Sequence, residues 1–458
     1  MSVDTTAENG PGNGLGTSLK SRHITMISIA GVIGAGLFVG SANAIAEAGP
    51  AVLISYFLAG TLVVLVMRML GEMATANPDT GSFSVYSDRA LGGWAGFSVG
   101  WLYWWFWVLV IPVEATAAAE ILEHLVGGPQ WMWALAVTLL LTVTNLASVG
   151  NYGEFEFWFA LIKVVAIVAF IGIGVAAIFG LIPGSEVSGV SQLWEPDGFM
   201  PNGFGAVIAG MLVTMFSFMG TEIVTIAAAE SPDPAKGISK AVNSVIWRIS
   251  LFYLGSIFVI VALMPYDRLD DGSYQSTLQA IGIPGSGLIM DLVILTAVAS
   301  CLNSALYTAS RMLFSLADRR DAPQAVRKIA RNGVPWVAVL ASTAVGFLAV
   351  LGNYLLPEKI FAYLLATSGA VALFVYLAIA SSQLVLGRQM RANDERPAVR
   401  MWLFPYLTGV VIVGIVAVLV LMAFDPDQQQ AIFLSALSAV IIVIAGVVVR
   451  RRHAPAKV

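Results

Sequence analysis

Four ionisable side chains stand where a hydrophobic chain tolerates them least. Lys163 lies inside Phe157-Trp158-Phe159-Ala160-Leu161-Ile162-Lys163-Val164-Val165-Ala166-Ile167. Glu114 follows Pro112, Glu222 follows Gly220, and Glu230 precedes Ser231-Pro232. An ammonium at the centre of a bilayer costs at least about 2.5–3.5 kcal/mol, so it faces protein or water and usually serves a function. The chemistry open to this set is proton exchange, ion pairing and gating. Each member also has a plainer reading: a fixed counterion or a snorkelling end for Lys163, a backbone hydrogen bond for Glu222, a structural contact for Glu114, an interfacial pair for Glu230. Ser300, Cys301, Asn303, Ser304, Tyr307 and Thr308 add a polar stripe at helical spacing, suited to lining a route or to interhelical hydrogen bonds. Catalysis finds no such footing. His23, His124 and His453 lie far apart near the ends of apolar segments, Cys301 is the single cysteine, and no phosphate-cradling loop is present. Neither an enzyme nor a metal or other cofactor is expected.

Two backbone segments point to what these groups surround. Gly31-Val32-Ile33-Gly34-Ala35-Gly36-Leu37-Phe38-Val39-Gly40 places four glycines in ten residues of an apolar span, and each weakens a helix by ~1 kcal/mol relative to alanine. Close helix packing is one explanation. A second Gly-interrupted span, Met215-Phe216-Ser217-Phe218-Met219-Gly220-Thr221-Glu222-Ile223, lies five spans later. A pair of interrupted spans at corresponding places in two halves marks the binding site of a secondary transporter. Unwinding exposes backbone N–H groups at Gly34, Ala35 and Gly36, which glycine lets a carboxylate approach closely. It also frees carbonyls near Val32 and from Phe216 to Met219, with Gly220 at the turn, to accept from an ammonium. The ligand so described is a zwitterion.

The elements that position these residues are apolar helices. The chain is 58% hydrophobic and 11% charged, against about 25% charged in soluble domains. Runs of roughly 17–25 apolar residues span a bilayer, and twelve are expected, at about 24–46, 51–76, 94–124, 131–149, 154–182, 203–230, 241–264, 285–317, 335–354, 358–386, 401–423 and 430–450. Alternate connections differ in charge. One set carries Lys20, Arg22, Lys236, Lys240, Arg319, Arg320, Arg388, Arg391 and Arg450–Arg452; the other carries Glu186, Glu195, Asp197, Asp267, Asp425 and Asp427, with Arg268 and Lys359 its only cations. Positive residues stay inside, so both termini are expected in the cytoplasm. Residues 1–19 are expected as a disordered tail, 20–450 as the membrane domain and 451–458 as a short cytoplasmic tail. Of the aromatic cluster Trp101, Tyr103, Trp104, Trp105, Phe106 and Trp107, one or two members are expected to cap a ligand together with Phe216, and the rest to face lipid or neighbouring helices.

On these residues the chain resembles the amino acid permeases of the amino acid–polyamine–organocation superfamily. The likeness is carried by Gly34-Ala35-Gly36 and by Phe218-Met219-Gly220-Thr221-Glu222, and extends over nearly all of the chain beyond residue 19. Within the superfamily it is similar to the bacterial permeases of 4-aminobutyrate (GABA). That similarity rests on Gly100-Trp101-Leu102-Tyr103-Trp104-Trp105-Phe106-Trp107-Val108-Leu109-Val110-Ile111-Pro112, Asn151-Tyr152-Gly153-Glu154-Phe155-Glu156-Phe157-Trp158, Met200-Pro201-Asn202-Gly203-Phe204-Gly205 and Ser300-Cys301-Leu302-Asn303-Ser304-Ala305-Leu306-Tyr307.

The resemblance implies an all-α polytopic membrane protein of twelve helices. Two inverted repeats, about 20–182 and 203–386, make a LeuT-like core with discontinuous helices 1 and 6, and two extra helices follow at about 401–450. It implies import of a small zwitterionic amino acid with protons across the bacterial cytoplasmic membrane, the substrate carboxylate on Ala35 and Gly36 and the amine on carbonyls of Val32, Phe216 and Met219. Sister permeases for alanine, glycine, serine, proline, aromatic or basic amino acids share these motifs, as do exchangers and sensors. Relatives often carry serine where this chain has Ala35, so backbone N–H groups must hold the carboxylate unaided. Lys163 is implied at the place where sodium-coupled members hold a cation, pinning span one to span eight through the Gly31 carbonyl, Ser300 and Ser304. The partners implied are the substrate, protons and the lipid bilayer, with no nucleic acid.

Overall fold

A computed structural model describes residues 32–79, 81–147, 152–195, 197–223, 225, 233–269, 272–355, 357–426 and 428–453. Among the described residues every regular element is a helix. In chain order the α-helices are α1 (Ala35–Phe38), α2 (Gly40–Ala48), α3 (Val52–Ala76), α4 (Ser82–Leu91), α5 (Gly93–Val126), α6 (Gln130–Ala147), α7 (Tyr152–Ile178) and α8 (Gly203–Phe218). There follow α9 (Pro234–Arg248), a π-helical segment (Ile249–Gly255), α10 (Ser256–Leu263), α11 (Ser273–Ile281), α12 (Ser286–Asp318), α13 (Trp336–Leu355), α14 (Pro357–Ala392), α15 (Tyr406–Phe424) and α16 (Gln429–His453).

Nine helical stretches among the described residues are long and apolar enough to cross a membrane. One of them, Ala35–Ala76, covers the described part of the first expected span from residue 35 and all of the second, and shorter apolar helices at Gly203–Phe218 and Trp336–Gly352 stand at the sixth and ninth. The sixth is shorter than expected because its helix stops at Phe218, where the glycine-interrupted segment begins. Local chemistry sets other ends. Gly92 and Gly127, at φ 96° and 80°, bracket α5 with a conformation that side chains resist. Asp233 caps α9 by accepting from the Lys236 N–H at 3.3 Å, with Pro234 at the first helical position. The helix α5 continues through Pro112.

The core is built around α5, whose most apolar stretch is 83% buried, against 17% for α6 and for α16 and 22% for α15. That contrast separates a central post from helices whose apolar faces remain uncovered. Along α5 lie α12, α14, α4 and α6; α7 packs on α12 and α10, and α8 packs on α2, α3 and α14. The basic rim is tied down rather than loose. Arg391 pairs with the buried Glu72 at 3.0 Å, Arg450 reaches both oxygens of Asp321 at 3.0 Å, and Arg68 stacks 3.9 Å over Trp402.

Candidate functional site

In the first glycine-rich segment Gly34, with an extended backbone (φ −145°, ψ −148°), precedes the four residues of α1. Packing and unwinding prove to be one requirement. A Cβ on Gly34 would lie 2.5 Å from Glu114 Oε1 and 2.7–2.8 Å from the Cys301 side chain. A Cβ on Gly36 would lie 2.8 Å from both Phe216 Cδ1 and Ser217 Cα. Glycine is therefore needed where α5, α8 and α12 converge on the break. The N–H that opens there is engaged: Ala35 donates to both carboxylate oxygens of Glu114, at 3.2 and 3.0 Å, and both residues are buried. Glu114 thus stands at the backbone group expected to receive a ligand carboxylate.

The second break follows the end of α8. Met219 is extended (φ −64°, ψ 144°) and Gly220 takes φ 103°, a conformation open to glycine. Gly220 donates its N–H to both oxygens of Glu222 at 3.1 Å, so this carboxylate ties down the unwound backbone two residues before it. The Phe216 carbonyl accepts the Met219 N–H at 3.2 Å. A residue that sequence reading missed joins the two breaks: the Tyr253 hydroxyl donates to the Ser217 carbonyl at 2.8 Å and lies 3.3 Å from the Val32 carbonyl. It sits in the π-helical segment, and its place beside both breaks is a product of tertiary folding. Val32, Ile33, Thr221, Arg248 and Tyr253 line a small cavity between them. Of the aromatic cluster, Phe106 is the member set against Phe216, with ring centroids 6.2 Å apart, whereas Trp101 and Trp104 hydrogen-bond Asp321 and Ser342.

Lys163 is fully buried on α7, within electrostatic reach of Glu156, Glu114 and Cys301. Sequence reading named Ser300 and Ser304 as its partners on α12. Both of these serines hydrogen-bond the carboxylate of Glu156. Ser300 Oγ donates to Oε2 at 2.6 Å, Asn303 Nδ2 donates to Oε1 at 2.9 Å, and Ser304 also hydrogen-bonds the group. Glu156 had a legible signal, since it stands seven residues before Lys163 and so on the same helical face. Cys301 lies against Glu114. The structure therefore brings Val32, Gly34, Ala35, Gly36, Phe216, Met219, Gly220, Glu114, Glu222, Lys163 and, from the α12 stripe, Ser300, Cys301, Asn303 and Ser304 around the two glycine-interrupted segments. Gly31 and Glu230 lie outside the described residues.

Over the far end of the first broken span sits α11. Ser273 Oγ meets Ser41 Oγ at 2.6 Å, and the Tyr274 ring is buried between Phe38 and Phe170, with centroids 4.9 and 4.6 Å away. The site is thus a set of backbone donors and acceptors, three buried carboxylates and one ammonium. Such a set can bind a charged polar solute and hold or move protons.

Comparison with known proteins agrees with this reading. The amino acid permease family model matches residues 23–457. A gamma-aminobutyric acid permease of Escherichia coli is 61% identical over 430 residues, 93% of this chain and 92% of that one. A probable GABA permease of Pseudomonas aeruginosa is 60% identical over 443 residues, 96% of this chain and 93% of that one. An aromatic amino acid transport protein of Corynebacterium glutamicum is 45% identical, with 92% of each chain covered. Among solved structures, a manganese transporter of Eremococcus coleocola superposes with a TM-score of 0.57 at 14% identity, over 93% of this chain and 92% of that one, a likeness of fold alone.

Proposed function

The chain belongs to the amino acid permease family, and from that membership we propose that it imports 4-aminobutyrate by proton symport. It is a secondary transporter and not an enzyme. The observation that carries the substrate reading is the pair of broken spans with a carboxylate on the Ala35 N–H, together with 60–61% identity to proteins named for GABA. A ligand carboxylate takes the place of Glu114 on Ala35 and the neighbouring Gly34 and Gly36. The ligand amine turns to the carbonyls of Val32, Phe216 and Met219, with Phe216 and Phe106 closing over its methylenes. GABA separates its charges by three methylenes, so a route from the first break to the second suits it better than a single point of attachment.

Coupling belongs to the Lys163 cluster. The cluster of one buried ammonium and two carboxylates changes its net charge by one when a carboxylate takes up a proton, and that change alters its hold on the first broken span. Twelve crossings in two inverted repeats, with both termini cytoplasmic, complete the proposal. The parity of the charged loops supports it, as does the placement of the breaks five spans apart. In this arrangement α11 lies at the outer face.

Uptake of radiolabelled GABA into proteoliposomes, driven by an inward proton gradient, tests the whole reading. Saturable accumulation that collapses with a protonophore is expected. Uptake of α-amino acids that excess GABA does not inhibit would overturn the substrate, and accumulation indifferent to the gradient would overturn the coupling.

A further inference from the structure

The Lys163 cluster contains a carboxylate to which neither substrate binding nor the expected sodium-like site assigns a role. Glu156 lies two helical turns before Lys163, about 10 Å along the α7 axis at 1.5 Å per residue. It lies toward the start of α7, the end that the charged loops place at the cytoplasm. The side chain is wholly buried, and its partners are arranged for two protonation states. Asn145 Nδ2 donates to the Leu141 carbonyl at 2.9 Å and to Asn303 Oδ1 at 2.6 Å. The Asn303 amide is thereby oriented with Nδ2 toward Glu156 Oε1, and that bond persists whether or not the acid is ionised. The other oxygen differs. Oε2 meets Ser300 Oγ at 2.6 Å, and a hydroxyl can accept as well as donate. A proton on Oε2 therefore reverses the bond to Ser300 and leaves the one from Asn303 in place.

The charge count points the same way. The charged group facing Glu156 is Lys163 on its own helix, which Glu114 of α5 also faces; Ser300, Asn303 and Ser304 of α12 hydrogen-bond Glu156, Asn145 of α6 orients Asn303, and Cys301 of α12 lies beside the cluster. With Lys163, Glu114 and Glu156 all ionised the cluster carries one net negative charge, which burial disfavours. One added proton neutralises it while Lys163 remains an ammonium. Glu114 holds the Ala35 N–H on the substrate side, whereas Glu156 lies on the cytoplasmic side with a reversible partner.

We propose that Glu156 is the group from which the symported proton is released to the cytoplasm. The O–H bond at Glu156 Oε2 forms as the proton enters the cluster and breaks as it leaves for cytoplasmic water; no other bond changes order, and Ser300 turns its hydroxyl with each step. This inference rests on the proton-symport reading of the same site.

Glu156→Gln tests it, because the amide reproduces the protonated acid: Nε2 donates to Ser300 while Oε1 accepts from Asn303. In proteoliposomes, GABA exchange is expected to persist while gradient-driven accumulation falls roughly a hundredfold, the low end for loss of a positioned proton-transfer group. The pH profile of uptake flattens, and Glu156→Asp restores part of the accumulation with a displaced profile. Wild-type accumulation in Glu156→Gln would overturn the inference, as would loss of exchange together with accumulation in a monodisperse variant. Should Glu156→Gln not fold, infrared difference spectra of the wild-type protein on acidification read the same group. A protonated-carboxyl band that shifts in Ser300→Ala supports the assignment, and one that does not shift overturns it. Absence of gradient-driven accumulation in the wild type would instead defeat the symport reading beneath it.

Discussion

Replacing Gly34 or Gly36 by alanine sets the geometry of the first break against transport. In Gly36→Ala the new methyl would lie 2.8 Å from Ser217 Cα, a backbone atom that cannot swing aside, and 2.8 Å from Phe216 Cδ1. Overpacking of this kind costs about 1–3 kcal/mol, and the strain is relieved only by moving α8 away from the break. In Gly34→Ala the obstacles are side chains, Glu114 Oε1 at 2.5 Å and Cys301 Cβ and Sγ at 2.7 and 2.8 Å. That cost should be partly recovered in a double variant with Cys301→Gly, whereas no single side-chain truncation should rescue Gly36→Ala. Gly172 on α7 supplies the control, since nothing lies within 4 Å of its Cβ position and alanine there should be neutral or stabilising by about 0.5–1 kcal/mol. Thermal unfolding in detergent and GABA uptake in proteoliposomes are measured for each variant, and the Gly34–Cys301 coupling is taken from the cycle. Wild-type stability and uptake in Gly36→Ala would refute the close approach of the two breaks, and an uncoupled cycle would refute the Cys301 contact.

Two further outcomes follow from the site. Lys163→Gln should abolish proton-driven accumulation, because it removes the ammonium that Glu114 and Glu156 surround; concentrative uptake with an unchanged pH profile would show that the coupling lies elsewhere. Tyr253→Phe removes the donor to the Ser217 carbonyl that also lies near Val32. It should destabilise by about 1 kcal/mol, the net worth of one hydrogen bond, and slow transport; an unchanged turnover would mean that the hydroxyl does not couple the breaks.

The helices, the two breaks and the buried lysine were legible because each is a local property of the chain. Apolar run length gives the helices, glycine spacing gives the breaks, and one charge inside an apolar run gives Lys163. What sequence could not supply was long-range choice. Ala35 and Glu114 are 79 residues apart, and Ser300 and Glu156 are 144 apart, so no pattern in either segment announces the bond. Glu156 was obscured by its place near the start of a span, where carboxylates are ordinary. Nor could sequence say that Ser300 and Ser304, expected beside Lys163, hydrogen-bond Glu156: a stripe of hydroxyls serves an ammonium and a carboxylate equally well.

The two breaks share a chemical device but use it differently, and under the proposed substrate reading that difference selects the exchangeable one. At each, a glutamate accepts a backbone N–H that unwinding has freed: Glu114 at Ala35 and Glu222 at Gly220. Glu222 is two residues from its donor, so its clip closes a short loop at small entropic cost and has no reason to open. Glu114 reaches across from α5 and is held in place by the packing of separate helices. Only the first clip presents a donor that a ligand carboxylate can take by displacing a group on another element. Glu114→Ala should therefore tighten GABA binding, since the ligand no longer competes for the Ala35 N–H; a hydrogen bond to a charged acceptor is worth ~1.5–3 kcal/mol, and ~1.4 kcal/mol is tenfold. Glu222→Ala should instead leave affinity to fall with the fold, by about 1–3 kcal/mol of stability for an unsatisfied buried N–H. Calorimetric titration of both variants with GABA decides the matter, and weaker binding in a stable Glu114→Ala protein would mean that Glu114 holds the ligand rather than standing in its place.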